Sequence, residues 1–430
     1  MRCGDVEVTL RGPWSPWLLL TTMLSMSIAF AVVAVTESGA ASPDRPAITS
    51  AGRDGLSRFL SDAVARGDVP GVVAIVVGKD GVLYQGAAGK LDVARGTAMP
   101  ADAIFMIASM TKPVTTVAAM MLVEAGTLGL DDPVSRYLPE FKNRQVLVTP
   151  DASAGHDATR APAREITVRH LMSHTSGIGY AWSSPVVARL VAGDRDKEPA
   201  IPLLHDPGAR WTYGASTRVL GQIVEKISGQ PLDAFFNARI LGPLEMVDTA
   251  YAVPAQKLAR VATVHSRATG TLVERPNAAT QQSPIRGDGG LYSTAHDYGV
   301  FLQMLLNGGS LGSATLLRPS SVTMMGHNQI GAVTVDEQPA ADPGLTRPYP
   351  LGAGRDKFWL GFQIAAADPR FAALRSPGSL SWAGLNNTHF WIDPARHVAA
   401  VFLVQVLPFY DEASIRTLRG FEALVYRGLR

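Results

Sequence analysis

The chain has 430 residues, 47% hydrophobic and 18% charged, which is ample material for a large apolar core. Its 39 basic and 37 acidic residues leave a formal charge of +2, without the basic stripe that binding to nucleic acid requires. The single cysteine, Cys3, precedes everything that reads as a folded domain, which excludes a thiol nucleophile, a zinc–cysteine site and a disulfide scaffold.

Residues 17 to 35 form an uncharged apolar run, preceded by Arg2 and Arg11 and followed by the small residues Ser38, Gly39, Ala40 and Ala41. This is the pattern of a signal peptide spanning residues 1–41, or of an uncleaved membrane anchor of the same extent. Either places the body of the chain outside the cytoplasm, periplasmic or secreted in the first case and tethered in the second. Cys3 lies upstream of the run and so cannot be the lipidated cysteine of a lipoprotein signal.

Residues 42–54 read as a linker and 55–427 as one domain. It opens with an amphipathic helix from Leu56 to Arg66, then a strand from Gly71 to Val77, a Lys79-Asp80-Gly81 turn and a second strand from Val82 to Gly86. An apolar helix follows, starting near Ser109 or Met110, running on through Val114 to Glu124 and stopped by Gly126. Residues 130–350 are irregular, with a loop over 149–163 and short helices at Thr167–Ser173, Ser216–Ser228, Leu232–Ile240 and Ala295–Leu306. Strand signals return at Trp359–Ala365, Ser379–Ala383, Thr388–Ile392 and Val398–Val406, before a closing helix from Asp411 to Tyr426. Strands at both ends with helices between them predict an α+β fold. One antiparallel sheet is built from N- and C-terminal segments and flanked by helices, and a mostly helical subdomain is inserted at 130–350.

Three segments could carry chemistry. Ser109-Met110-Thr111-Lys112 puts a hydroxyl and an amine about one turn apart on a helical face, and a neutral amine there can take the hydroxyl proton. Pro113 belongs in the first turn of a helix, so Ser109 sits at a helix start, beside free N–H groups that can hold an oxyanion. Apolar neighbours half-bury Lys112 and lower its pKa. The bland alternative is an N-capping serine beside a surface lysine. Tyr213, in Trp211-Thr212-Tyr213-Gly214-Ala215-Ser216, stands in a turn before a helix. A neighbouring ammonium would favour its phenolate and let it act as a base, although a half-buried tyrosine closing a turn has the same letters. Ser379-Leu380-Ser381-Trp382-Ala383-Gly384 is a strand ending in glycine, which permits close approach of a substrate. The Leu385 N–H could supply a second oxyanion donor there, or the segment is a hairpin with aromatic core residues.

These segments, in this order and spacing, resemble the serine β-lactamase and penicillin-binding-protein superfamily, most closely its esterase branch of family VIII carboxylesterases and related acyltransferases. Arg169–Gly177, Gly287–Thr294 and Gly326–Gly331 add to the resemblance, which spans about residues 55 to 427. It implies a β-lactamase/transpeptidase-like fold and a serine hydrolase in which Ser109 is acylated and Lys112 and Tyr213 shuttle its proton. The oxyanion hole falls to the N–H groups of Ser109 and Leu385, and the substrate pocket to Trp382, Ala383 and Gly384. No cofactor and no metal is implied. The expected partner is a small ester, with membrane contact only through an uncleaved N-terminal segment.

The departures from that pattern bear on the substrate. Lactamases and peptidases of the superfamily carry a lysine- or histidine-led triplet where Trp382-Ala383-Gly384 stands here, and an indole cannot pair with a substrate carboxylate. Asn386-Asn387 replaces the small residues common in the esterase branch, and Ala215 stands where lactamases have an asparagine. The expected activity is hydrolysis or transfer of the acyl group of small esters. A weak β-lactamase or D-Ala-D-Ala carboxypeptidase, and a non-catalytic envelope binding protein on the same fold, are the alternatives.

Other patterns read as coincidence. Gly308-Gly309-Ser310-Leu311-Gly312 has the spelling of a nucleophile elbow, but a helix precedes it where a strand is required. His170 and His174 have zinc-binding spacing without an intervening glutamate or a third ligand. Arg286-Gly287-Asp288 spells an adhesion tripeptide inside the glycine-rich stretch of the family resemblance.

Overall fold

The computed structural model describes residues 45–151, 153, 157–267, 270–275, 285–369 and 374–430. The apolar run 17 to 35 and the small residues behind it lie outside the described residues. Among the described residues no helix is long and apolar enough to cross a membrane.

In chain order the elements that build the scaffold are helix α1 (Ser50–Ala65), strands β1 (Gly71–Gly78), β2 (Gly81–Asp92) and β3 (Thr97–Ala98), helices α2 (Thr111–Glu124), α3 (Ser216–Ser228) and α4 (Ala295–Leu306), strands β4 (Lys357–Phe358), β5 (Gln363–Ile364), β6 (Leu380–Gly384), β7 (Thr388–Asp393) and β8 (Val398–Leu403), and helix α5 (Glu412–Gly428). The strands form an eight-stranded sheet in the order β4-β5-β6-β7-β8-β1-β2-β3. Its centre is the antiparallel pairing of β1 with β8, Val73 opposite Leu403 and Val77 opposite Ala399, which joins the two ends of the chain. The expected sheet of N- and C-terminal segments is therefore present.

Strand β1 is buried along its whole length, and its period of two sends its side chains into two cores. Val73, Ile75 and Val77 face the core shared with α2 and α4. Val72, Ala74 and Val76 face the one covered by α1 and α5. The two covering helices pack closely, with Gly420 of α5 facing the ring of Phe59 on α1.

Several expectations need correction. Helix α1 begins at Ser50, because Thr49 caps it by accepting the Gly52 N–H at 3.0 Å, and Ile48 is buried and bridged to Leu429. Residues 48–54 thus belong to the domain and not to a linker. Helix α4 lies on the sheet against β1 and β8. It is therefore part of the scaffold, although its position in the chain put it within the expected insertion. The strand expected at 359–365 is two short strands around Gly361, whose φ of +90° breaks the extended run. The strand expected at 398–406 stops at Leu403, and Val406–Leu407 pairs in parallel with His265–Ser266 in a separate small sheet. Helix 232–240 is a short α-helix that widens into a π-turn over Asn237–Leu241.

Ile75 tests the central layer. It is fully buried in β1, and the Gly299 backbone of α4 lies against it. Ile75→Ala is expected to lower stability by about 2–5 kcal/mol in chemical denaturation. A loss below about 0.5 kcal/mol, the range of surface substitutions, would contradict the packing of α4 on β1.

Candidate active site

Ser109 lies in a single 3₁₀ turn, Ala108–Met110, immediately ahead of α2. The helix proper therefore starts at Thr111, slightly later than its sequence indicates. Ala108 has φ +45°, an uncommon conformation for a residue with a side chain, and it turns the chain sharply into the serine. The turn is held on several sides. Ile107 donates its N–H to Leu291 O at 3.0 Å, Thr111 Oγ1 donates to Ala108 O at 2.7 Å, and the Tyr298 hydroxyl of α4 donates to Met110 O at 2.8 Å.

Lys112, one turn on, is 1% exposed. Its Nζ is 3.1 Å from Ser109 Oγ and donates to Asp288 O at 2.7 Å. The same nitrogen lies 4.8 Å from the ring centroid of Tyr213 and 5.3 Å from that of Tyr180. Burial pushes its pKa down to about 7, against the pull of the Asp288 carboxylate. Both parts of the surface-lysine alternative fail here: the lysine is buried, and the N-cap of α2 is Met110 and not the serine.

Tyr213 is brought to the same point by the turn before α3. Its hydroxyl lies beside Ser109 and accepts the Trp382 Nε1–H at 3.2 Å. Six aromatic rings surround it, those of His174, Tyr180, Trp182, Trp211, Tyr349 and Trp382, with centroids 4.8 to 6.2 Å away. Such burial raises its pKa above the ordinary phenol value, and the Ser109 and Trp382 groups beside its hydroxyl offset this only in part. Tyr213 is thus a neutral phenol, and the expected phenolate is not formed. What the sequence lacked was the depth of burial: desolvation outweighs the neighbouring amine.

The third segment closes the site. Gly384 ends β6 so close to the Ile107 carbonyl that a Cβ there would overlap it, and Thr388 Oγ1 donates to the same carbonyl at 3.4 Å. Leu385 follows in the tight turn to β7. Asn387 supplies the left-handed residue of that turn (φ +59°), and its amide donates to Val406 O and Pro408 O at 2.8 and 2.9 Å. The Asn386 amide bonds Gln405 Oε1 at 2.9 Å. Both asparagines are therefore occupied in holding the hairpin. A cavity of about 1030 Å³ adjoins this strand, lined by Ser381, Trp382, Ala383 and His389 together with Arg375 and Glu422, but Ser109, Lys112, Tyr213 and Gly384 do not line it.

The residues expected to act together are brought together: Ser109, Lys112, Tyr213 and Trp382 are linked by direct contacts, and Gly384 abuts their turn. Three residues at the site were not singled out from the sequence, Tyr180, Arg218 and the Asp288 carboxylate. Asp288 had a readable signal, a lone charge among glycines in the stretch Gly287–Thr294. The coincidental patterns also resolve. Gly308 and Gly309, both at positive φ, turn α4 into a small hairpin in which Ser310 Oγ bonds Thr315 Oγ1 at 3.1 Å. His170 accepts the Thr167 N–H in a helix cap at 3.1 Å, while His174 sits in the aromatic cluster around Tyr213.

Comparison with known proteins agrees with this geometry. The β-lactamase family model matches residues 56–424. The chain belongs to the β-lactamase family. It is 30% identical to the monacolin J acid methylbutanoyltransferase of Aspergillus terreus over 74% of this chain and 81% of that one. It is 35% identical to esterase EstB of Burkholderia gladioli over 46% and 50% of the two chains. Among solved structures, a simvastatin synthase mutant from Aspergillus terreus matches with a TM-score of 0.76 and 27% identity, over 88% of this chain and 95% of that one. The protein is thus a serine hydrolase of the β-lactamase family, related to its esterases and acyltransferases.

The close approach of Gly384 to the Ser109 turn gives a direct test. In Gly384→Val the added side chain must push β6 away from Ile107. Turnover of a chromogenic ester is expected to fall at least about 100-fold, the size of a lost oxyanion donor. Parent-like turnover would show that the β6 edge plays no part.

Proposed function

We propose that the protein is an exported serine hydrolase that cleaves small esters through an acyl-enzyme on Ser109. The observation that carries this reading is the buried Lys112 amine, 3.1 Å from Ser109 Oγ and with a pKa near 7. An amine that is about half uncharged at neutral pH has a lone pair for the serine proton in that state, and it is then a general base of suitable strength.

The steps follow from the contacts. Lys112 takes the Ser109 proton as Oγ bonds to the acyl carbon. The N–H groups of Ser109 and Leu385 hold the resulting oxyanion, an interaction worth about 3 kcal/mol per donor. As the ester C–O bond breaks, the proton passes from Lys112 to the leaving alkoxide by way of the Tyr213 hydroxyl. That hydroxyl is suited to relay a proton because it is neutral and lies beside Ser109. Water then attacks the acyl carbon and gives a proton to Lys112; as the bond from that carbon to Ser109 Oγ breaks, the proton returns from Lys112 to Oγ and the acid is released.

Trp382 supports esters over β-lactams and peptides. Its indole faces Tyr213 and donates its only N–H there, so it offers no cation to a substrate carboxylate. The likeness to a methylbutanoyltransferase and to a simvastatin synthase supports a second outcome of the same acyl-enzyme, transfer to an alcohol in place of water. Export, to the periplasm or the medium, is supported by the apolar run 17 to 35 with Arg2 and Arg11 ahead of it.

Intact-protein mass spectrometry after mixing with a short-chain p-nitrophenyl ester tests the assignment. One acyl group is expected on the parent chain, and none on Ser109→Ala or Lys112→Met, with turnover lower by at least about 10⁴-fold in both. Full turnover by Ser109→Ala would refute it. Turnover of a chromogenic cephalosporin above that of the ester would favour the lactamase alternative. Failure of a fluorophosphonate probe to label Ser109 would favour a binding protein.

A further inference from the structure

Behind Lys112, on the side away from the β6 edge, lies a row of buried charges that the acylation steps do not use. The loop Gly287-Asp288-Gly289-Gly290 runs along the first turns of α2, where Leu291 N–H donates to Thr111 Oγ1 at 3.2 Å and Thr115 Oγ1 to Gly287 O at 2.7 Å. Gly287 is wedged against α3, where a Cβ would run into the Thr217 carbonyl and the Gly221 backbone. The loop thereby presents the Asp288 carbonyl to Lys112 and sends the Asp288 carboxylate into the protein.

That carboxylate is fully enclosed. It accepts the Tyr180 hydroxyl at 2.7 Å, and its Oδ2 lies 3.2 Å from Arg218 Nε and 3.1 Å from Arg218 Nη2. Arg218, from α3, also meets Glu198 Oε2 at 3.0 Å and donates to the Arg195 carbonyl at 2.9 Å. Glu198 accepts in addition the Ala181 N–H at 2.9 Å. The charges thus alternate from the amine outward: Lys112, Asp288, Arg218, Glu198. Buried ion pairs of this kind contribute little to stability compared with apolar residues of the same volume, so stability alone is a poor reason for the row. Its position points elsewhere, because a carboxylate so near a buried amine favours the ammonium, whose proton occupies the lone pair that the serine needs.

We propose that Asp288 and Arg218 are positioning residues for Lys112: the Asp288 carbonyl fixes the place of the amine, and Arg218 cancels the Asp288 carboxylate field that would otherwise keep it charged. The proposal rests on Lys112 being the general base. The groups that face the amine are the Asp288, Arg218 and Glu198 charges, the hydroxyls of Ser109, Tyr180 and Tyr213, and the His174 imidazole, which burial keeps neutral. Of these only the three charges differ in sign, so substitutions among them move the amine in opposite directions. Asp288→Asn keeps the backbone carbonyl and an oxygen for Tyr180 but removes the negative charge, which makes the ammonium easier to deprotonate. Arg218→Gln leaves two carboxylates uncompensated and makes it harder.

The test is the pH profile of kcat/KM for a short-chain p-nitrophenyl ester, measured on full-length variants whose cooperative unfolding is checked. The acid limb is expected to move to lower pH in Asp288→Asn and to higher pH in Arg218→Gln. Each shift should be about one pH unit, a tenfold change in proton affinity. Arg218→Lys, which keeps the charge, is expected to leave the limb near that of the parent. A merely structural role would lower kcat in both without moving the limb, or would move it the same way in both; either result overturns the proposal and leaves Lys112 as base. If Arg218→Gln does not fold, an unmoved limb in Asp288→Asn still overturns it. Retained turnover in Lys112→Met overturns the proposal together with the base assignment.

Discussion

A lysine amine can serve as a base near neutral pH only while it is held out of water, and the burial of Lys112 is the constraint around which the site is arranged. Helix α2 carries the residue into the apolar space between the sheet and the inserted helices, where Tyr180 and Tyr213 cover it. The Gly287–Gly290 loop, closely packed against α2 and α3, gives the amine a carbonyl to bond. Ser109 stays on the accessible side because its own turn precedes the helix. The proposed nucleophile and the proposed base just below it thus both owe their places to where α2 begins.

The same burial decides what Tyr213 can do. Among six rings, and with an indole N–H directed at its oxygen, the phenol keeps its proton and can pass protons between neighbours. Trp382 thereby has two effects. It orients Tyr213, and it places a flat apolar surface where lactam-cleaving relatives in the superfamily have a cation. In the proposed reading acyl chemistry and substrate preference meet in this one side chain, because the indole that contacts Tyr213 is also the group that offers a substrate no cation.

Much of this was legible in the sequence because it is local. Pro113 marked the start of α2 to within two residues, and the apolar strand signals of β1 and β8 announced a sheet built from both ends of the chain. Trp382-Ala383-Gly384 could be read as a strand edge from its terminal glycine. What escaped was set by contacts between distant segments. Asp288 lies far from Lys112 in sequence, and only the wedging of Gly287 between α2 and α3 brings it there. Tyr180 and Arg218 likewise take their meaning from the Asp288 carboxylate. The ionisation of Tyr213 depends on six rings from separate segments, and no window around the tyrosine reveals them. Helix α4 was assigned by its place in the chain, whereas its packing is decided by which face of the sheet lacked a cover.

The most direct measurement is the pH dependence of the acylation step itself, followed as the pre-steady-state burst of p-nitrophenol from a short-chain ester. A lysine activated by burial predicts an acylation rate that rises with pH and reaches half its plateau near pH 7. A midpoint above about pH 9, in the range of an ordinary lysine, or a rate that does not change with pH, would contradict it.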